Sequence, residues 1–117
     1  MNFKFKKEKN FEQRREEYEK VINDHPGKIA IICEKDPKSL INNIDKTKYL
    51  VDENLTLPQF IATIRKKLDL NENDALFLLA NGKNTLSQNE TMNNIYKKYK
   101  NKDGFLYFTY ASEEVWG

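Results

Sequence analysis

The sequence predicts an α+β fold, in which one helix packs across a mixed sheet of four strands and a further helical segment precedes the sheet. Segments with helical and strand periodicity follow each other in the order helix, strand, strand, helix, strand, helix, strand. The first and last strands are the most apolar, which places them in the middle of the sheet. With 117 residues and no internal repeat, the chain is expected to form a single domain with one core.

The N-terminal segment alternates lysine with phenylalanine before a helix begins. Over residues 1–10, MNFKFKKEKN, this alternation fits either a short amphipathic arm or a disordered basic tail. Asn10 then caps a helix over NFEQRREEYEKVINDHPG, with Gln13 at the capping-box position. The segment DHPG at 24–27 ends this helix. Its apolar stripe is narrow and consists of Phe11, Tyr18, Val21 and Ile22.

Two strands are predicted next. KIAIICEK at 28–35 is a continuous run of apolar and β-branched residues, typical of a strand that is buried on both faces. After the long connection DPKSLINNIDKT, the segment TKYLVDE forms a second strand with two different faces. Tyr49 and Val51 lie on one face, and Lys48 and Leu50 lie on the other. With the first and last strands central, this second strand lies at an edge of the sheet.

The clearest helix is LTLPQFIATIRKKLDL, which Thr56 caps and which tolerates Pro58 in its first turn. Its apolar face is formed by Phe60, Ile61, Ile64 and Leu68. ALFLLANG is a short strand that ends in an Asn-Gly turn. Ser87 and Glu90 have the spacing of a capping box at the start of a last helix over SQNETMNNIYKKYK, and FLYFTYA is the final strand. The crossover rule leaves few topologies for this order, and we predict the ubiquitin-like β-grasp.

The composition argues against several classes of function. Lys+Arg number 20 and Asp+Glu 18, a net charge of +2, whereas a dedicated DNA-binding domain is clearly basic. One cysteine and one histidine cannot supply a zinc site, and four scattered glycines form no phosphate-binding loop. Cys33 lies in the run IAIIC, where a buried thiol is expected rather than a nucleophile, and His25 lies in a turn. We therefore predict a protein that is not an enzyme and that uses no cofactor or metal.

The expected location is the cytoplasm. No apolar run approaches the roughly 18 residues that a membrane-spanning helix needs. The first ten residues lack the apolar core of a secretory signal. A single cysteine also fits a reducing compartment.

Longer strings of the sequence resemble one family, the autophagy ubiquitin-like modifiers, which include the GABA-receptor-associated protein and the microtubule-associated protein light chain. The strings are IDKTKYLV, LTLPQFIATIRKKL, DALFLLAN and IYKKYKNKDGFLYFTYASEEVWG, in the same order and at matching spacings. FKFKKEKNFEQRREEYEKV is similar to the two N-terminal helices of the family, and KIAIICEKDPKS to its first strand. The resemblance implies a helical extension over 1–27, a β-grasp core over 28–110 and a flexible tail over 111–117.

The resemblance also implies a reaction at the end of the chain. In the family, a cysteine protease cuts after a glycine, an activating enzyme adenylates that glycine and binds it as a thioester, and a conjugating enzyme transfers it to the amine of phosphatidylethanolamine. The glycine here would be Gly117. Since glycine has no side chain, its carboxyl carbon is the least hindered that a protein can offer to an enzyme. The polar stretch ASEE at 111–114 would let this carboxyl group extend into the enzyme pocket. The lipidated protein would recruit cargo receptors at the autophagosome membrane.

The edge strand is the second site that the resemblance implies, since the family binds short peptides there by β-augmentation. The bound motifs carry an aromatic residue, two spacers and an aliphatic residue, often beside acidic residues. The aromatic pocket would be lined by Glu17, Val21, Ile32, Lys48, Leu50 and Phe105. The aliphatic pocket would be lined by Tyr49, Val51, Leu55, Phe60 and Ile64. The flanking acids would meet Lys28, Lys46, Arg65 and Lys67.

Several positions depart from the common pattern of the family. Proline is usual at Ala30 and Asp52, arginine at Lys28, an aliphatic residue at Thr63, and phenylalanine or tyrosine at Trp116. These changes bear on peptide specificity, more at the aliphatic pocket than at the aromatic one. Trp116 is either a recognition residue for the processing and activating enzymes or an anchor at the membrane interface.

The alternative function is an unconjugated ubiquitin-like module that binds peptides or, through its basic N-terminal arm, the cytoskeletal protein tubulin. Nucleic acid is not an expected partner.

Overall fold

The computed structural model describes residues 2–112, which form four helices and five strands. The helices are α1 (Lys4–Glu8), α2 (Phe11–Asp24), α3 (Leu57–Leu68) and α4 (Met92–Tyr99). The strands are β1 (Lys28–Lys35), β2 (Lys48–Asp52), β3 (Phe77–Ala80), β4 (Asn84–Thr85) and β5 (Leu106–Ala111). The predicted α+β class and β-grasp arrangement are confirmed. Most of the predicted tail, residues 113–117, lies outside the described residues.

The five strands form one mixed sheet in the order β2-β1-β5-β3-β4. The two central strands are β1 and β5, which run parallel with Ile31 opposite Leu106, and the other neighbours are antiparallel. The prediction that the first and last strands are central is therefore confirmed, as is the edge position of β2. The predicted number of four strands is wrong by one. Asn81 and Gly82, with φ of 55° and 77°, turn the chain so tightly that the two-residue β4 pairs with β3.

Two apolar clusters cover the two faces of the sheet. Strand β1 contributes to both, because successive side chains of a strand point in opposite directions. Ile29, Ile31 and Cys33 pack in the larger cluster with α3 and α4. Ala30 and Ile32 pack in the smaller cluster with residues of the N-terminal segment. The prediction of a first strand buried on both faces is confirmed.

The N-terminal segment is an ordered arm that packs on the sheet. Of the two interpretations of its sequence, the short amphipathic arm is therefore correct and the disordered basic tail is wrong. The Phe3 ring lies edge-on to Tyr107 at 4.9 Å, and the Phe5 ring lies edge-on to Phe105 at 5.2 Å. At the start of α1, the Glu34 carboxylate accepts hydrogen bonds of 2.7 Å and 3.0 Å from the amides of residues 4 and 5. The two buried rings therefore lie at the N-cap of α1 and in its first turn, while Lys4 and Lys7 are exposed.

The predicted stripe of α2 is correct in the second half of the helix only. Tyr18, Val21 and Ile22 pack against the smaller cluster, whereas Phe11, the first residue of α2, is 43% exposed. The capping box predicted for α2 and the cap predicted at Thr56 of α3 are confirmed, and the α3 cap is also a capping box, with Gln59. The one predicted from Ser87 and Glu90 is wrong, because α4 begins later.

Thr91 caps α4 and accepts a hydrogen bond of 3.3 Å from the amide of Asn94. A bridge between Thr91 and Thr56 holds this segment extended and delays the start of α4. Glu90 takes part instead in a turn, in which its amide donates to the Ser87 carbonyl at 3.3 Å. Pairing between distant segments therefore decided where this helix starts.

Candidate functional site

The outer edge of β2 is an open sheet edge. On its inner side β2 pairs with β1, with Ala30 opposite Leu50 and Ile32 opposite Lys48. Within residues 2–112 no strand pairs with its outer side. An unpaired edge presents backbone N–H and C=O groups that an added strand can bind. The two faces of β2 continue into the two different apolar clusters, so the edge lies between two chemically distinct surfaces.

The residues predicted for the aromatic pocket meet on the α2 side of this edge. Ile32 and Phe105 are buried, and Val21 of α2 packs against them. Leu50 is 38% exposed and offers apolar surface to a ligand. On the same side, Lys48 Nζ lies 2.9 Å from Glu17 Oε2. The six predicted residues thus form an apolar floor with an ion pair beside it.

Lys9 and Phe5 also belong to this side of the edge, and the sequence prediction missed both. Lys9 forms a second ion pair with Glu17. The ammonium groups of Lys9 and Lys48 lie 5.6 Å and 5.1 Å from the centroid of the Phe5 ring. Burial raises the pKa of the Glu17 carboxyl, but hydrogen bonds and charge from the two lysines outweigh it and lower that pKa overall. Alternating Phe and Lys at 3–7 was the available signal, and it indicated an amphipathic arm without indicating where the arm docks.

The residues predicted for the aliphatic pocket meet on the α3 side. Tyr49, Phe60 and Ile64 are buried, and the Tyr49 and Phe60 rings are edge-on with centroids 5.5 Å apart. The Tyr49 hydroxyl donates a hydrogen bond of 2.6 Å to the Lys46 carbonyl, and burial raises the pKa of this phenol. Val51 and Leu55 are half-buried and pack on the same cluster. A ligand would therefore contact mainly Val51 and Leu55, with the three buried side chains supporting them.

Three of the four predicted cations lie close to the edge. The ammonium groups of Lys46 and Lys67 lie 5.2 Å and 5.9 Å from the centroid of the Tyr49 ring. Lys28 is exposed and stands opposite Asp52 in the register of β1 and β2. Arg65 differs, because its guanidinium donates hydrogen bonds of 2.5 Å and 2.7 Å to the carbonyls of residues 74 and 71. Its role in the described structure is to hold the loop after α3.

The C-terminal strand leads away from this site. Ser112, the last described residue, donates its amide to Ser39 Oγ at 3.2 Å, and the two hydroxyls lie 2.9 Å apart. Gly117 and Trp116 lie outside the described residues.

Cys33 is fully buried, and burial raises the pKa of its thiol.

The described residues, 2–112, hold no group of three or more His, Cys, Asp or Glu side chains arranged to bind a metal. Within the same range, none of the helices combines the length and the apolar character that spanning a bilayer requires.

This β-grasp, preceded by two helices and carrying an open edge between two apolar surfaces, defines a ubiquitin-like protein. A family model described as autophagy protein Atg8 ubiquitin like matches residues 13–117. The chain therefore belongs to the Atg8 family of autophagy ubiquitin-like proteins, and the family resemblance found in the sequence is confirmed.

Individual relatives are similar over nearly the whole chain. Human microtubule-associated protein 1 light chain 3 gamma is 40% identical over 114 residues, covering 97% of this chain and 78% of that protein. Autophagy-related protein 8 of Kluyveromyces lactis is 42% identical over 118 residues, covering 100% of this chain and 94% of the relative. The crystal structure of Trypanosoma brucei ATG8 superposes with a TM-score of 0.89 at 40% identity, covering 97% of both chains.

Proposed function

We propose that this protein is a ubiquitin-like modifier that is conjugated through Gly117 to phosphatidylethanolamine during autophagosome formation, and that its β2 edge binds cargo receptors. The observation that carries the proposal is that the Atg8 family match extends over residues 13–117, which include both the β2 edge and Gly117. In this proposal residues 1–27 are a helical extension, 28–110 the β-grasp core and 111–117 the tail that presents the glycine.

The geometry of the edge supports a motif with an aromatic and an aliphatic residue separated by two spacers. In an extended strand, residues three apart point to opposite faces and are about 10 Å apart along the strand. A peptide added beside β2 would therefore direct one anchor towards the α2 side and the other towards the α3 side. Leu50 is exposed on the first side, and Val51 and Leu55 are half-buried on the second. The two sides differ in chemistry, which suits two different anchors.

The expected affinity follows from these contacts. Burial of two apolar anchors contributes about 1.5–3 kcal/mol each. With a few strand hydrogen bonds added and the cost of ordering the peptide subtracted, a Kd near 1 μM, or about −8 kcal/mol, is expected. Acidic residues beside the motif would be attracted to Lys28, Lys46 and Lys67. Such a modest affinity suits reversible capture by many copies on one membrane.

The conjugation chemistry requires only an accessible C-terminal carboxylate from this chain. An activating enzyme would join that carboxylate to AMP at the expense of ATP, releasing pyrophosphate, and an enzyme cysteine would then displace AMP to form a thioester. The amine of phosphatidylethanolamine would attack the thioester carbonyl, forming the amide and releasing the thiol. We propose that the chain itself performs no catalysis, since its single thiol is buried and its pKa is raised. Its partners are the activating and conjugating enzymes, a processing and deconjugating cysteine protease, and receptors.

The test is reconstitution with an activating enzyme, a conjugating enzyme, ATP and liposomes that contain phosphatidylethanolamine. A thioester intermediate and a lipidated product of altered mobility are expected for the native chain but not for Gly117→Ala. If neither forms with the native chain, the conjugation proposal is wrong.

The docking proposal is tested separately by titrating an aromatic-x-x-aliphatic peptide and following the amide signals of residues 46–51. Binding without change at those signals would assign the peptide to another surface.

The alternative, an unconjugated ubiquitin-like module that binds peptides or tubulin, would be favoured if docking occurs and lipidation does not. In that case the proposed docking function of the β2 edge would stand without conjugation. The location expected from the main proposal is the cytoplasm, with attachment to the autophagosome membrane after lipidation.

A further inference from the structure

A second concave surface lies at the other edge of the sheet from β2. It is a shallow depression, open to solvent and with a volume of about 590 Å³, between α1, the first residue of α2, the turn between β3 and β4, and the loop between α4 and β5. Four lysines share its lining, namely Lys6, Lys83, Lys100 and Lys102. Asn81, Asn101 and the exposed Phe11 complete it. We call this surface the lysine groove.

The lysine groove concentrates positive charge in a chain whose charges nearly balance. The sequence has 20 Lys+Arg and 18 Asp+Glu, yet none of the seven described residues that line the groove is acidic. Asp103 follows Lys102 directly, but its carboxylate is completely buried and is bonded to Arg14 and Tyr107. Its charge favours the protonated form of Lys6, but its ion pair among the described residues is with Arg14 and not with any of the four lysines. Four like charges around one concavity repel each other, and an anionic ligand would relieve that repulsion.

The walls of the groove are fixed by backbone hydrogen bonds to β5 and to the residue that precedes it. The amide of Asn81 donates to the Tyr107 carbonyl at 2.8 Å, and the amide of Asn101 donates to the Phe105 carbonyl at 2.9 Å. Lys6 is half-buried, with its ammonium 4.4 Å from the centroid of the Tyr107 ring, and burial lowers its pKa. The backbone of the groove is thus preformed, whereas the exposed side chains of Lys83, Lys100 and Lys102 would become ordered when a ligand binds.

We propose that the lysine groove binds an acidic peptide segment of a partner protein, with Phe11 contacting an apolar residue of that segment. Phe11 is 43% exposed at the rim, and an aromatic ring beside lysines suits a segment that mixes carboxylates with an apolar side chain. A nucleic-acid ligand fits less well, because the net charge of the whole chain is only +2.

This inference goes beyond the proposed function, because the groove and the β2 edge are separate. The strand order β2-β1-β5-β3-β4 puts the turn between β3 and β4 at one end of the sheet and β2 at the other. The two sites share no lining residue among those described. One molecule would therefore hold a receptor motif at β2 and an acidic segment in the groove at the same time.

The experiment uses the full chain and a fluorescein-labelled peptide of seven glutamates with one central leucine, with a glutamine version of the peptide as the neutral control. Binding is followed by fluorescence anisotropy at low salt and by the amide signals of residues 81–83 and 100–102. The test variant is Lys83→Gln with Lys102→Gln. The matched control is Lys20→Gln with Lys66→Gln, which removes the same charge from exposed positions of α2 and α3. Inorganic phosphate, phosphatidylserine vesicles and oligodeoxythymidine are tested in parallel.

We expect the acidic peptide to shift the groove signals even when a β2-edge peptide is already bound at saturation. The test variant should bind it about fivefold or more weakly than the control variant, with both variants retaining the native melting temperature. The proposal is overturned if the groove signals do not move, if the two variants bind alike, or if the peptide shifts the signals of residues 46–51 instead. It is also overturned if phosphate, vesicles or oligodeoxythymidine perturb the groove more strongly than the peptide.

Discussion

Arg14 and Asp103, 89 positions apart in the chain, are joined by a hydrogen bond of 2.8 Å from Arg14 Nε to Asp103 Oδ2. The buried carboxylate also accepts a hydrogen bond of 2.5 Å from the Tyr107 hydroxyl and one of 2.9 Å from the Phe105 amide. Arg14 donates a further hydrogen bond of 2.9 Å to the Lys9 carbonyl. One carboxylate therefore ties the junction of α1 and α2 to β5, and so positions the α2 side of the β2 edge.

Replacement of Asp103 by alanine should destabilise the protein strongly. The change leaves the guanidinium of Arg14 and the hydroxyl of Tyr107 without their buried acceptor, and breaking a buried pair in this way costs about 3–5 kcal/mol. Urea unfolding measures the loss. The control is Lys98→Ala, which breaks the surface pair between Lys98 and Glu90 at 3.1 Å and should cost about 1 kcal/mol or less. Equal effects of the two changes would contradict the structural role of Asp103.

Gly104 has no room for a side chain. Its φ is +103°, and an added Cβ would lie 2.3 Å from Cδ2 of Tyr18. Gly104→Ala should therefore cost backbone strain of about 1–2 kcal/mol and overpacking of about 1–3 kcal/mol. Gly27→Ala is the matched control, because Gly27 has φ of +83° with nothing within 4 Å of an added Cβ, so only the strain applies.

A double-variant cycle separates the two costs at Gly104. In a Tyr18→Ala background the overpacking disappears, and Gly104→Ala should then cost about as much as Gly27→Ala. Free energies of unfolding from urea titrations give the comparison. A Gly104→Ala variant that is as stable as Gly27→Ala in the native background would be inconsistent with the close approach of Tyr18.

The two lysines that contact Glu17 should make the stability of the protein depend on pH. Burial raises the pKa of Glu17, but Lys9 and Lys48 lower it below its ordinary value of 4.5 overall. A folded-state pKa below the unfolded one means that Glu17 contributes stability above about pH 4.5, which is lost as the pH falls through the folded-state pKa. Lys9→Met with Lys48→Met should raise the titration midpoint of the Glu17 carboxyl, measured by carbon NMR. Lys66→Met with Lys83→Met, which removes two exposed charges outside α2, should leave it in place, and the same rise in both variants would indicate a general charge effect.

Leu50→Ala should weaken peptide binding at a modest cost in stability. Since Leu50 is 38% exposed, the change removes part of its buried surface, at about 1–2 kcal/mol, together with much of the apolar surface that an aromatic anchor would cover. We expect the Kd for an aromatic-x-x-aliphatic peptide to rise about tenfold by calorimetry. Phe77→Ala is the matched control, since Phe77 is 41% exposed on β3, away from the β2 edge. Equal losses of affinity in both variants would move the binding site away from β2.

Much of the candidate site was predictable because its determinants are local or belong to the family pattern. Alternation in TKYLVDE predicted which side chains of β2 face each way, and the apolar character of β1 and β5 predicted that β2 is an edge. The match of strings to a family then indicated the residues on both sides of that edge. Arg65 shows the limit of such transfer, because whether a cation is available depends on its neighbours, and here carbonyls of the following loop bind it.

The sequence by itself determined most of the elements of this protein, since periodicity, the caps at Asn10 and Thr56 and the Pro and Gly breaks act over a few residues. Only the tertiary structure decided what depends on pairing across the chain. The bridge between Thr56 and Thr91 moved the start of α4, and β4 formed because a tight turn returned two residues to β3. Docking of α1 brought Lys9 to Glu17 and placed the Phe5 ring beside Lys9 and Lys48, and the packing of three separate segments assembled the lysine groove. The physical reason is that contacts between distant residues depend on packing of whole elements, which no local pattern encodes.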